Sequence, residues 1–329
     1  MDKKAEILKL KDELGVLLAA HYYQRDEVFE IADITGDSLE LARRCMESDK
    51  KIVVFCGVGF MGQSVKILSP EKKVYMPRIA CCSMARMIDS AYFDDTVAKM
   101  EAAGIKKSDI FPLTYINSNA DVKAKVAEMG GVVCTSSSAD TIIKYAMQSD
   151  KKILFVPDRC LGVNTANKMG LKSCVVGDGQ NMAECDVICY DGFCSIHQLF
   201  CVEDIEFYRS KYPNILIAVH PECTPEVVAK ADFVGSTSQI LKYVKELDPE
   251  QKVAVGTEFN VVNRLRDKNT YVLSSTKPEC PTMNETTLDD VYNLLVAIKN
   301  NETYNEIILD EDTRIKAKSS LDKMLEITK

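Results

Sequence analysis

The 329-residue chain holds no apolar run approaching the roughly 20 residues that a membrane-spanning helix needs. Positive charge is also short: 41 Lys and Arg against 49 Asp and Glu leave a formal net charge of −8. That balance argues against nucleic acid as the main partner, because phosphate-backbone binding needs a basic face. With no basic helix-turn-helix pattern either, a transcriptional sensor is disfavoured. The opening residues, Met1-Asp2-Lys3-Lys4-Ala5-Glu6, lead into a charged amphipathic helix pattern and carry no signal-peptide core. Low-complexity segments and flexible linkers are missing, and histidine is scarce, with only His21, His197 and His220. Together these absences exclude a membrane protein and predict a cytoplasmic one. Thiols stay reduced in that compartment, so the 13 cysteines are metal ligands or small buried hydrophobes before they are disulfides.

What is present is a run of features repeated three times, each copy closing on a lone cysteine: Cys82, Cys194 and Cys280. Each copy opens with an apolar strand ending in polar side chains. The first runs Gly15–Ala20 into His21 and Tyr23, the second Ile110–Thr114 into Tyr115 and Asn117, the third Ile215–Val219 into His220 and Glu222. A Gly/Ser/Thr turn then opens a helix, at Gly36-Asp37-Ser38, Thr135-Ser136-Ser137 and Gly235-Ser236-Thr237. A buried strand follows (Ile52–Phe55, Ile153–Val156, Val253–Val255), and a final strand delivers the cysteine. Gly36 lies 46 positions before Cys82 and Gly235 lies 45 before Cys280, whereas Thr135 lies 59 before Cys194, so the middle copy carries an insertion. Such repetition implies three like units around a shared centre. Three thiols from three units form a metal site, since an odd number cannot pair into disulfides.

The strand–helix–strand alternation reads as α/β with short parallel sheets, in units spanning 1–90, 91–200 and 201–329, the last with two C-terminal helix patterns. Ligands of such sheets bind beyond the carboxyl ends of the strands. Helix starts on that side offer free N–H groups and hydroxyls to anions. The competing explanation is ordinary capping by Asp37 or Ser38 and by Ser136 or Ser137; three helices aimed at one centre favour a pocket for small polyanions. His21 and His220 occupy the same repeated position, with Tyr115 as the middle counterpart. His197, three residues after Cys194, is placed to be a ligand or to support one. Cys56, Cys134, Cys189 and Cys223 sit in apolar runs and are expected in the core. The spacings of Cys185, Cys189 and Cys194 fit no common metal clip. Cys81 beside Cys82 is ambiguous, because neighbours in a strand face opposite ways.

These residues resemble the quinolinate synthase family over nearly the whole chain. The likeness is carried by Ala20-His21-Tyr22-Tyr23-Gln24, Gly36-Asp37-Ser38-Leu39, Cys82-Ser83-Met84-Ala85, Tyr115-Ile116-Asn117-Ser118, Cys134-Thr135-Ser136 and Pro157-Asp158-Arg159. It continues through Gly192-Phe193-Cys194-Ser195-Ile196-His197, His220-Pro221-Glu222-Cys223, Gly235-Ser236-Thr237, Gly256-Thr257-Glu258 and Cys280-Pro281-Thr282-Met283. The resemblance implies three pseudo-symmetric αβα units around a central [4Fe–4S] cluster, one per chain. It further implies condensation of iminosuccinate with dihydroxyacetone phosphate to quinolinate, phosphate and water, in NAD biosynthesis. The iminosuccinate would come from an L-aspartate oxidase or dehydrogenase.

Carried over by motif, Cys82, Cys194 and Cys280 hold three irons, and the fourth is left open as a Lewis acid. His21, Ser38, Tyr115, Ile116, Asn117, Ser136, His220, Pro221, Glu222, Ser236 and Thr237 become the substrate contacts. Tyr23 and Glu222 become the acid/base pair, with His21 beside them. Cys81, Cys160 in Pro157-Asp158-Arg159-Cys160, and Gly59 with Gln63 depart from the family pattern without removing a ligand. With Glu279 before Cys280 and Thr282 after it, the regulatory disulfide of some members is not expected here. The nearest rival is another three-cysteine [4Fe–4S] hydro-lyase acting on a different hydroxy acid. A non-catalytic redox sensor and a zinc-stabilised structural protein are weaker, the latter because three thiolates without a fourth ligand make an open site.

Overall fold

A computed structural model describes residues 2–302 and 304–329; Met1, where the N-terminal helix pattern opens, lies outside them. Thirteen strands among the described residues form three sheets whose ladders are all parallel. The first sheet contains β1 (Val16–His21), β2 (Ile34–Gly36), β3 (Ile52–Cys56) and β4 (Lys73–Tyr75) in the order β2-β1-β3-β4. The second contains β5 (Ile110–Tyr115), β6 (Val132–Cys134), β7 (Lys152–Val156), β8 (Ser173–Val175) and β9 (Val187–Cys189), ordered β6-β5-β7-β9-β8. The third contains β10 (Leu216–Val219), β11 (Phe233–Val234), β12 (Val253–Gly256) and β13 (Thr270–Val272), ordered β11-β10-β12-β13. First and third sheets thus share one order, and the middle sheet adds β8 at its edge, within the stretch that makes the middle repeat longer. The fold is α/β, consistent with three αβα units.

Strands of this kind form because they are apolar on both faces. Val53, Val54 and Phe55 of β3 are all fully buried. In the third sheet the alternation is visible side by side: Ala254 packs with Ile217, Val219 and Leu273, while Val253 and Val255 pack with Ile240, Val244 and Val262.

The chain divides into two compact units. The first runs up to Cys82 and takes in Glu279–Ile315; the second is Ser83–Pro278 with Lys316–Lys329. In the first unit, helices Lys3–Leu14 and Leu288–Lys299 cover sheet one, burying Ile7, Val291, Leu294 and Leu295 against Leu18 and Val54. The expected apolar spacing from Leu288 is therefore a helix, and Thr287 and Asp290 close it with a capping box. In the second unit, Phe93, Val97, Met100, Val122 and Val126 pack on Leu154 and Ile188 of the middle sheet. The second C-terminal helix pattern appears as Glu311–Ile327, and Ser320 Oγ donates to Lys123 O at 3.2 Å.

The second strand in each sheet's order carries candidate site residues at its carboxyl end: His21 ends β1, Tyr115 ends β5 and His220 follows β10. One expectation is corrected here. The final strand does not deliver the cysteine, because β4, β9 and β13 stop short and an irregular segment follows. Each cysteine instead stands just before a single 3₁₀ turn, Met84–Arg86, His197–Leu199 or Met283–Glu285. A thiol in a strand covered on both faces would be packed away; on a loop it stays reachable.

Candidate active site

The repeat persists at the level of single hydrogen bonds. His21 Nδ1 accepts from the Tyr23 backbone N–H at 3.1 Å, and in the third repeat His220 Nδ1 accepts from the Glu222 N–H at 3.3 Å. A tight turn after the strand folds the chain back in both places, so the ring nitrogen meets the amide two residues on. With Nδ1 accepting, each imidazole is left with Nε2–H as its outward donor. Burial, against the pull of Glu222, pushes the His220 pKa down to about 3, so that ring is neutral at physiological pH. Tyr23 meets the His21 ring edge-on at 4.7 Å and is half-buried.

Glu222 is the hub of the second unit. It is 3% exposed, and its Oε2 lies 2.8 Å from His197 Nδ1. Tyr115 is also hydrogen-bonded to it. On the far side of the ring, His197 Nε2 lies 3.3 Å from Thr257 Oγ1. His197 stacks on His220 at 4.5 Å. Burial alone would raise the Glu222 carboxyl. The imidazoles of His220 and His197 and the hydrogen bond from Tyr115 reverse this and hold it down to about 2. The result is a buried carboxylate–imidazole–hydroxyl row, with Glu222 close to His197 Nδ1 but not at a hydrogen-bonding angle and Thr257 at the other ring nitrogen. Ligand atoms of Cys194, His197 and Glu222 all lie within 4.8 Å of one another, so a thiol stands beside this row.

Hydroxyls at the helix starts divide into two kinds. Asp37 caps helix Ser38–Glu47 by accepting from the Leu39 and Glu40 N–H groups, and Ser236 caps Thr237–Glu246 in a capping box with Gln239. In the middle repeat the cap position is Ser138, not Ser136 or Ser137 as the competing explanation had it, and its Oγ accepts instead from the Thr135 N–H at 2.9 Å. Thr135 Oγ1 lies 3.0 Å from Ser137 Oγ and 2.9 Å from Ser138 Oγ. The half-buried hydroxyls of Ser38 and Ser136 take no part in these bonds and remain available to a ligand. A cavity of about 630 Å³ in the second unit brings together Ser136, Pro221 and Gly235.

Three residues that carried no role in the sequence shape this site. Thr257 closes the imidazole chain. Asn164 Nδ2, in helix Arg159–Lys168, donates to Pro221 O and Cys223 O, each at 2.8 Å, and grips the turn bearing Glu222. Asp158 is fully buried; its Oδ1 accepts from the Leu161 N–H, while Oδ2 has no partner among the described residues. Burial and then the charge of Glu222 raise its pKa well above the usual range. Thr257 and Asp158 stood in the motifs Gly256-Thr257-Glu258 and Pro157-Asp158-Arg159 without a role, and Asn164 showed only as an asparagine inside a helix, where its amide competes with the backbone.

The thirteen cysteines sort by exposure. Eight are buried, Cys81 and Cys201 are exposed, and Cys82, Cys194 and Cys280 alone are intermediate. The buried thiols of Cys56, Cys134 and Cys160 have raised pKa values, burial being the leading cause, as inert core cysteines do. The three repeat cysteines have the accessibility a metal ligand needs, and their soft sulfur donors suit an iron–sulfur group. Gly192 sets the approach to Cys194: a Cβ there would meet Pro157 O at 2.4 Å.

Parallel sheets with polar groups at their carboxyl ends and a half-buried thiol beside a buried carboxylate–imidazole–hydroxyl cluster define an α/β enzyme with a cysteine-bearing candidate metal centre. The quinolinate synthetase A protein family matches residues 5–326. A quinolinate synthase of Helicobacter pylori (strain ATCC 700392 / 26695) is 56% identical, covering 99% of this chain and 98% of its own. One from Streptomyces coelicolor is 37% identical over 98% of this chain and 88% of its own; one from Listeria innocua is 39% identical over 98% and 93%. The chain belongs to the quinolinate synthase family. No helix among the described residues is long and apolar enough to cross a membrane.

Proposed function

We propose that this enzyme condenses iminosuccinate with dihydroxyacetone phosphate, releasing quinolinate, phosphate and two waters, as a step of NAD biosynthesis. Its three αβα units span 1–90, 91–200 and 201–329, and Cys82, Cys194 and Cys280 hold one [4Fe–4S] cluster. Their shared exposure and shared place before a 3₁₀ turn support that assignment. When bound, the cluster supplies a Lewis acid that eases dehydration.

The protein's own groups do the rest. Nε2–H donors of His21 and His220, with the hydroxyls of Ser38, Ser136 and Thr237 at helix starts, bind the carboxylates and phosphate of the substrates. Tyr115, Ile116 and Asn117 form one wall, and Pro221 and Ser236 contribute backbone. Tyr23 moves protons at the reacting carbons. Glu222, too acidic to be an effective base near neutrality, acts by orienting His197, whose Nε2 meets the Thr257 hydroxyl. The observation that carries this reading is the Glu222–His197–Thr257 chain beside Cys194. The enzyme works in the cytoplasm, where thiols stay reduced, on iminosuccinate from an L-aspartate oxidase or dehydrogenase.

The test is anaerobic turnover of the cluster-loaded protein with enzymatically generated iminosuccinate and dihydroxyacetone phosphate, in parallel with simple hydroxy acids. Quinolinate and phosphate in equal amounts are expected. Dehydration of a hydroxy acid without quinolinate would replace this reading by a hydro-lyase.

A further inference from the structure

Lys123 is fully buried at the fourth position of helix Ala120–Glu128. The position is unfavourable twice over. A cation near a helix N-terminus opposes the macrodipole, and burial pushes the ammonium pKa down to about 7. A residue that breaks local rules in this way marks a functional constraint. Helical side chains lean toward the N-terminus, so Nζ reaches back over the segment that precedes the helix. There it donates to Ile116 O at 2.8 Å and to Ser118 O, and it lies 3.5 Å from Ser118 Oγ. The two carbonyls flank Asn117 on either side.

The same segment is tied inward by Ser118 Oγ donating to Tyr115 O at 2.9 Å and by Ile116 N donating to Cys134 O at 2.8 Å. A methionine would fill the same volume; only a group with several donors can hold two carbonyls and a hydroxyl together. Ser320, from the C-terminal helix, fixes the backbone of Lys123 itself.

We propose that Lys123 is a positioning residue, whose ammonium locks the 115–118 turn in the geometry in which Tyr115 and Asn117 engage the dicarboxylic substrate. This rests on the reading of that turn as a substrate wall. The lysine touches no substrate, and its effect is transmitted through the carbonyls around Asn117.

The experiment compares Lys123→Met, Lys123→Gln, Asn117→Ala and the Lys123→Met/Asn117→Ala double variant, full length and cluster-loaded. Iron content and far-ultraviolet circular dichroism are expected to stay unchanged in all four. In Lys123→Met, KM for iminosuccinate and Kd for quinolinate should rise roughly tenfold or more, the scale of a small misplacement of a binding group, while kcat at saturation falls by less. Lys123→Gln should lie between, and the double variant should lose less than the sum of the single losses, because both act on one turn. If Lys123→Met does not fold, the glutamine variant carries the same measurements. Lowered thermal stability with KM and Kd unchanged would reduce Lys123 to a structural part and overturn the inference. Normal binding by Asn117→Ala would instead overturn the substrate-wall reading itself, so the two failures are separable.

Discussion

Replacing Glu222 by glutamine keeps the shape of the hub and removes its charge. In the folded protein the carboxyl is held down to about 2 from 4.5. That depression favours the ionised form in the native state. Because the folded pKa is depressed, this stabilisation is fully present above pH 4.5 and is lost as pH falls toward 2. At neutral pH, Glu222→Gln should therefore be less stable by roughly 1.5–3 kcal/mol, the range for losing hydrogen bonds to a charged acceptor. The midpoint of thermal unfolding should drop by a few degrees. The gap between wild type and variant should close as the pH is lowered below 4.5. Turnover should fall by roughly a hundredfold or more, because His197 loses the partner that sets its tautomer and Thr257 then faces a ring that can turn. Cluster content and quinolinate affinity should change little. The assay is chemical denaturation across pH, with single-turnover quinolinate formation measured anaerobically on the same preparations. A variant that keeps its rate within a few-fold, or a stability gap that stays constant from pH 7 to pH 3, refutes the hub.

Tyr23→Phe should retain iron and bind quinolinate yet lose turnover by roughly a hundredfold, whereas Ser38→Ala, Ser136→Ala and Thr237→Ala should each weaken product binding by roughly 1.5–3 kcal/mol by titration. Gly192→Ala forces a Cβ onto Pro157 O and should shift the Cys194 segment, read as lowered iron content with the fold retained by circular dichroism. Lys123 has a folded pKa of about 7 against 10.5 unfolded, so its buried charge should make wild-type stability rise from pH 7 toward 10.5 relative to Lys123→Met, measured by denaturation.

The three sheets were legible because their strands are apolar on both faces and recur at near-constant spacing, and even the longer middle repeat announced β8. The paired positions of His21 and His220 were legible for the same reason, and the structure adds the shared Nδ1 bond that gives them one job. The Gly256-Thr257-Glu258 motif was visible but the partner of Thr257 was not, because His197 meets it only across 60 residues of sequence. Asn164 and Lys123 act on carbonyl oxygens, and backbone acceptors leave no trace in a residue pattern. The competing reading of Ser136 or Ser137 as a helix cap does not hold, because the cap position is Ser138 and the hydroxyls of Thr135, Ser137 and Ser138 take one another as partners.

The central claim is that three repeated thiols, and no others of the thirteen, hold one four-iron cluster that serves the site. Iron and acid-labile sulfide per chain, counted in anaerobically prepared wild type and in single Cys→Ser variants, test it most directly. The account predicts one four-iron cluster in wild type, its loss in Cys82→Ser, Cys194→Ser and Cys280→Ser, and its retention in Cys81→Ser, Cys160→Ser and Cys185→Ser. A colourless wild type with stoichiometric zinc, or a cluster that survives Cys82→Ser and disappears in Cys81→Ser, would contradict it.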